Sequence, residues 1–147
     1  GSDYSVCVTA QVINKQYYIL NVLRQRLLFP DLIKAIQREK AKYNAQEVFI
    51  ENKASGIEVI QLLNRQGMRG IIAIDPVGSK EDRIAAQSTL VESGRVWIPE
   101  AAPWIEEFKR EVNAFPHGAH DDQLDALAQL LKREEEVGDR LAWLDYV

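Results

Sequence analysis

Two short apolar runs, Glu47-Val48-Phe49-Ile50-Glu51 and Gly70-Ile71-Ile72-Ala73-Ile74, constrain this chain more than any other feature. Each is too short for a helix and lacks alternating polar positions, so each reads as a strand buried on both faces. Around them lie stretches in which apolar residues return every three or four positions, the spacing of a helix with one buried side. Helices that alternate with doubly buried strands supply the cover those strands need. The expected class is therefore α/β, a mixed sheet flanked by helices. Its 147 residues are enough for one such unit, so 1–147 is read as a single domain.

The rest of the chain fits that frame. From Ser5 to Ile13, Val6, Val8, Ala10 and Val12 alternate with Cys7, Thr9 and Gln11, and Asn14-Lys15 offers a short turn into Tyr17–Leu23, which predicts an antiparallel hairpin. Leu32, Ile33, Ile36 and Tyr43 predict a helix over about 31–44. Ser55-Gly56-Ile57-Glu58 has the spacing of a capping box and opens a helix ending near Gly67; Ser79 to Asp82 repeats the cap-then-acid spacing and opens another to about Gly94. A brief extended piece over 95–99 precedes helices over about 103–113 and 120–136. Trp97 and Trp104 flank a proline-containing connection and are expected to pack into the core. Leu141-Ala142-Trp143-Leu144 is an amphipathic tail that folds back or meets a partner, and the sequence does not choose between these.

Composition narrows the function. The formal net charge of −4 argues against a domain that grips nucleic acid by bulk electrostatics, because such binding rests on many Lys and Arg contacts to phosphate. The single cysteine, Cys7, excludes an internal disulfide and a cysteine-based zinc site. No apolar run is long enough to span a membrane and no signal peptide opens the chain, so a cytoplasmic protein without membrane contact is expected. Glu134, Glu135, Glu136 and Asp139 are expected to form a solvated face.

The densest polar cluster is Pro116-His117-Gly118-Ala119-His120-Asp121-Asp122-Gln123-Leu124-Asp125-Ala126-Leu127. It opens a helix whose apolar stripe is Leu124, Leu127, Ala128 and Leu131. Asp121 and Asp125 fall on one edge of that stripe, and Asp122 lies one turn from Asp125 on the outer side. Carboxylates this close repel one another unless a cation lies between them. Hard oxygen ligands without cysteine suit Mg²⁺ or Mn²⁺ better than zinc. Capping and the helix macrodipole also favour acids in a first turn, so spacing alone leaves both readings open. Glu51 closes a strand at the end where ligands of α/β sheets sit, and a solvated carboxylate is equally compatible with that place.

Taken in order, Glu51-Asn52-Lys53-Ala54-Ser55-Gly56, Gly78-Ser79-Lys80 with Arg83, Gly94-Arg95-Val96-Trp97-Ile98-Pro99, Pro103-Trp104, Phe115-Pro116 and His120–Leu127 resemble the C-terminal nuclease domain of the large terminase subunit of tailed bacteriophages. The similarity runs from about Asp3 to Lys132. It implies an RNase H-like fold related to RuvC-type resolvases, and a two-metal acidic site that cuts concatemeric phage DNA during packaging. No Gly-x-x-x-x-Gly-Lys-Ser/Thr loop occurs, so the family's ATPase motor is not expected within this sequence.

Carried over by position, the resemblance makes Glu51, Asp122 and Asp125 metal ligands for two Mg²⁺ or Mn²⁺ ions, with Asp121 a neighbouring catalytic candidate. His120 becomes a hydrogen-bond partner of a ligand or a proton carrier, and Lys80 and Arg83 contacts to the DNA backbone. Implied partners are double-stranded DNA, the ATPase domain, the small terminase subunit and the portal, in the cytoplasm of a bacterial host. The family's first metal-binding aspartate lies on a strand upstream of the segment like Asp3-Tyr4-Ser5-Val6, which this sequence is expected to lack; Asp3 precedes a different strand. That departure keeps alternatives in view: a catalytically inactive prophage remnant that serves as a docking module, or a RuvC-like resolvase.

Overall fold

A computed structural model describes residues 4–137 and 143–146. Strand β1 (Ser5–Ile13) turns through Asn14 and Lys15, at φ 50° and 61°, into β2 (Gln16–Gln25). Positive φ at both turn residues matches the turn to the twist of a two-residue hairpin. The pairing is antiparallel, with a bulge between Thr9 and Ala10. There follow α1 (Phe29–Tyr43), β3 (Glu47–Glu51), α2 (Ser55–Arg65), β4 (Ile71–Ile74), α3 (Lys80–Ala86), α4 (Ser88–Glu92), β5 (Val96–Trp97), α5 (Ile105–Ala114), α6 (Asp122–Val137) and β6 (Trp143–Tyr146).

The strands form one mixed sheet in the order β4-β3-β6-β1-β2-β5. β3 runs parallel to β4 and to β6, and β6 runs antiparallel to β1. The last strand in the chain therefore sits between β1 and β3, level with Cys7–Ala10 on one side and with Glu47–Ile50 on the other. This answers the question the tail left open, since residues 143–146 fold back into the sheet; Leu141 and Ala142 lie outside the described residues, as does Asp3.

Side-chain alternation divides the sheet's interior into two cores. Val6, Val8, Ala10, Val12 and Phe49 face Leu124, Leu127, Leu130 and Leu131 of α6. Cys7, Val48 and Ile50 face Leu32, Ile33 and Ile36 of α1 with Val59 and Leu63 of α2. Phe49 and Glu51 are two apart, so Glu51 emerges on the α6 side at the end of β3, and the strand itself dictates which helix this carboxylate meets.

Several expectations need correction. The helix expected over 79–94 divides at Gln87: the Ser88 hydroxyl donates to the Ala85 carbonyl (2.8 Å) and the Gln87 N–H donates to Ile84 O, a tighter turn that ends α3 and restarts the chain as α4. Ser79 caps α3 as expected, its Oγ accepting from the Asp82 N–H at 3.1 Å. Ser55 does not form a capping box. It is the first residue of α2, behind an N-cap at Ala54 with no side-chain hydrogen bond, because loop carbonyls already take the free donors: Gly56 N–H to Lys53 O and Ile57 N–H to Ala54 O. Glu134 lies on no solvated face; it is 2% exposed, at helical spacing from Leu127, Leu130 and Leu131 on the buried side of α6. Trp104 packs edge-on against Phe108 as expected, whereas Trp97 is 52% exposed, stacked on Tyr18 with its indole N–H donating to Gln16.

Because β6 pairs on both sides, removing it strips hydrogen bonds from two neighbours at the centre of the sheet. Deleting residues 143–147 is expected to lower the urea midpoint and to cost amide protection in β1 and β3 while the β3–β4 pairing keeps more of its own. Hydrogen exchange read by mass spectrometry checks this, and unchanged protection at Val8 and Phe49 would remove β6 from the centre.

Candidate functional site

The site is built where the end of β3 meets the first turns of α6. Two features seat Glu51. Gly56, at the start of α2, packs against the end of β3: a Cβ there would stand 2.0 Å from the Glu51 carbonyl oxygen. Between them Ala54 adopts φ 50°, a conformation that costs an L-residue about 1–3 kcal/mol and that the packing around it must hold in place.

Opposite Glu51, α6 presents Asp125 and, one turn on, Gln129. Asp125 is 1% exposed. Gln129 Nε2 donates to Glu51 Oε1 at 3.0 Å and to Asp125 Oδ2 at 3.2 Å, so one amide nitrogen joins two carboxylates from opposite ends of the sequence. Arg83 of α3 grips Asp125 with a two-pronged fork, Nε to Oδ1 and Nη2 to Oδ2, each at 3.0 Å. Arg83 Nη1 also donates to Gly78 O at 2.6 Å, which fixes the guanidinium plane. The bond to Asp125 holds Arg83 above its ordinary pKa, against the opposing effect of burial.

A second pairing lies toward solvent. Lys80 Nζ stands 2.6 Å from Asp122 Oδ1 and 3.6 Å from Asp121 Oδ1. Burial alone would lower the Lys80 pKa; the hydrogen bond and charge of Asp122, with Asp121 and Asp125 behind it, more than offset that and leave it raised. The structure thus brings Glu51 and Asp125 together and sets Asp121 and Asp122 on an outer tier. Lys80 and Arg83 point inward to the acids. His120 stands apart from both tiers, edge-on to Tyr4 at 6.1 Å, and the Arg24 guanidinium lies 3.6 Å from the Tyr4 ring centre.

Gln129 and Glu111 are the residues here that the sequence reading did not single out. Gln129 has a helical signal, being four positions after Asp125 and so on the same face. Glu111 of α5 has none. Its buried carboxylate accepts the Gln123 backbone N–H (2.9 Å) and a hydrogen bond from the Gln123 side-chain amide, so a neighbouring helix caps α6 just where Asp122 and Asp125 are presented. Burial raises the Glu111 pKa, the two Gln123 bonds oppose that, and Asp122 adds to the rise.

The donor set fits a hard divalent cation in part. The candidate ligands that converge are carboxylate oxygens and the Gln129 amide, and Gln129 Oε1 is a buried acceptor with no hydrogen-bond partner among the described residues. Among those residues no three His, Cys, Asp or Glu side chains converge as a ready ligand set. Beside the acids a cleft of about 230 Å³ runs along the end of β4, bordered by Ile74, Asp75, Arg83, Gln129, Lys132 and Arg133.

A mixed sheet flanked by helices, with a glutamate closing an inner parallel strand against an aspartate of the last helix, defines an RNase H-like domain of the nuclease type. The family model for the terminase RNaseH-like domain matches residues 1–134, and the chain belongs to that family. No curated protein gives a significant match. RNase H-like nuclease domains generally use divalent metals, and terminases work with DNA and other packaging components.

Two outcomes follow from this geometry. Gly56→Ala forces backbone apart beneath Glu51 and is expected to cost about 1–3 kcal/mol in urea denaturation; a neutral result would show that α2 does not seat the strand end. Glu111→Ala leaves the α6 N–H groups without their acceptor and is expected to cost about 1–3 kcal/mol. Because the folded-state pKa of Glu111 is raised, the native protein binds more protons than the unfolded chain between the two values, so this group's stabilising contribution falls as pH rises through that window above the ordinary carboxylate range. Denaturation curves across that window should slope downward with pH in the parent and less so in Glu111→Ala.

Proposed function

We propose that this domain is the endonuclease of a phage terminase large subunit, cleaving concatemeric viral DNA in the bacterial cytoplasm during packaging. The observation that carries the reading is the bridged pair: Glu51 and Asp125, far apart in sequence, share Gln129 Nε2 on the α6 side of the sheet.

Glu51, Asp122 and Asp125 would hold two Mg²⁺ or Mn²⁺ ions, with Asp121 beside them. Such ions, when bound, lower the pKa of a water nucleophile and stabilise charge on the leaving oxygen of a phosphodiester. The chain's own residues do the rest. Gln129 keeps the two inner carboxylates at a fixed spacing. Glu111 fixes the start of α6 and thus the height of Asp122 and Asp125 above the sheet. Lys132 and Arg133 border the cleft and offer positive charge to phosphates entering it. A proton-carrier role for His120 would lie outside the acid cluster, since its ring packs edge-on to Tyr4. The ATPase domain, the small subunit and the portal are the partners that bring DNA to such a site.

A second reading, a nuclease-like domain kept for docking, draws support from the pairing of the aspartates with Arg83 and Lys80 and from the absence of a three-ligand cluster among the described residues. Plasmid cleavage in Mn²⁺ separates the two, run on this chain and on a version extended upstream by the strand the resemblance implies. The nuclease reading expects nicking and linear product, with Asp125→Ala and Glu51→Gln losing more than the ~10–100-fold typical of an outlying partner. Cleavage indifferent to both substitutions, or none by either version, would leave the docking reading; branched substrates cut in preference to linear DNA would favour a resolvase.

A further inference from the structure

This inference rests on the ion-binding role just proposed and concerns the two bases of α3. Both oxygens of Asp125 are taken by Arg83, and Oδ2 also accepts from Gln129. A buried carboxylate with three N–H donors has little coordination left for an ion. At the rim Lys80 takes one oxygen of Asp122, Oδ1. The formal charge tells the same story: four carboxylates, Glu51, Asp121, Asp122 and Asp125, face two bases, which leaves a net charge of −2 and room for the charge of one divalent ion. A second ion, or any close approach to Asp125, requires a base to leave.

The segment that bears these bases is suited to leave. α3 has no buried residue. It is held to α6 by the Arg83 and Lys80 ion pairs and by half-buried Ile84 against the core. Elements so weakly buried open at a small fraction of the global unfolding free energy.

We infer that Lys80 and Arg83 are the resident cations of this site and that a divalent ion binds by exchange with them, so ion uptake releases α3 from α6. Arg83 already borders the cleft it shares with Lys132 and Arg133, so the released guanidinium joins a basic wall for phosphate. The site then adds Arg83 to the bases Lys132 and Arg133 only when it carries ions.

The test is Mn²⁺ binding to the full chain by calorimetry, without nucleic acid, together with amide exchange over residues 80–86. Arg83→Gln is expected to tighten Mn²⁺ within the ~5–150-fold range of coupled sites, and Lys80→Gln to tighten it less. In the unaltered chain Mn²⁺ is expected to lower protection over 80–86. Affinity unchanged or weakened in both variants, or protection unchanged or raised by Mn²⁺, overturns the exchange. Should Arg83→Gln fail to fold because Asp125 is left buried and unpaired, Lys80→Gln and the exchange data on the unaltered chain decide. Loss of the underlying reading looks different: no Mn²⁺ uptake by parent or variants overturns both, whereas uptake that Glu51→Gln weakens and the base variants leave alone overturns the exchange only.

Discussion

The site depends on how α6 lies on the sheet. Leu124, Leu127, Leu130 and Leu131 press onto the face formed by Val6, Val8, Ala10 and Phe49, and this apolar contact fixes the rotation of the helix about its axis. Once that rotation is set, Asp125 and Gln129 have no freedom of their own. They share a flank one turn apart, and the flank they share is the one beside the end of β3. Alternation along β3 then decides the rest, since the side chain two beyond Phe49 must leave the sheet on the same face. A polar site thus results from two hydrophobic periodicities, one of 3.6 and one of 2, that agree on where a strand ends and a helix begins.

This explains which parts were legible in the sequence. The hairpin, the buried strand β3 and the helices at 29–43 and 122–137 announce themselves by period, and the family resemblance rests on segments that lie at strand ends and helix starts. The run Ile71–Ile74 does form a strand, but at the edge of the sheet, half-buried and with Ala73 exposed rather than covered on both faces. The helix break at Gln87 left no mark because it turns on a single hydroxyl, that of Ser88, which competes for one carbonyl. Ser55 and Glu58 carried the right spacing and yet no capping box, because the tight approach of Gly56 to Glu51 brings loop carbonyls to the donors first. Glu111 was invisible because its partner lies on another helix, and pairwise spacing is blind to contacts between elements. β6 was invisible for a similar reason: four residues with no turn signal toward the hairpin find their place only because β1 and β3 leave a gap of one strand between them.

The direction of Lys80 and Arg83 is the clearest case of electrostatics overriding expectation. A basic pair near a cleft reads as a phosphate contact, and in the folded chain both turn toward carboxylates. Four acids drawn together by packing must be neutralised by something, and the cations that meet them come from α3, a helix with no buried residue. The cost of leaving Asp125 unpaired at 1% exposure, about 3–5 kcal/mol, outweighs whatever an exposed arginine would gain from water.

The same arrangement reconciles a net charge of −4 with a site for DNA. An acidic domain cannot hold a polyanion by its overall field, but phosphate is sensed over about a Debye length, roughly 8–10 Å at physiological salt. Within that range of the cleft the relevant charges are local, Arg83, Lys132 and Arg133 against the acids they border. While Arg83 is paired with Asp125, Lys132 and Arg133 are the bases left to the cleft wall. Cations that neutralise the acids change both terms at once, removing negative charge and returning a guanidinium to the wall. On the proposal made above, such a domain needs no basic surface of its own, because its affinity for a phosphate backbone follows what occupies its carboxylates.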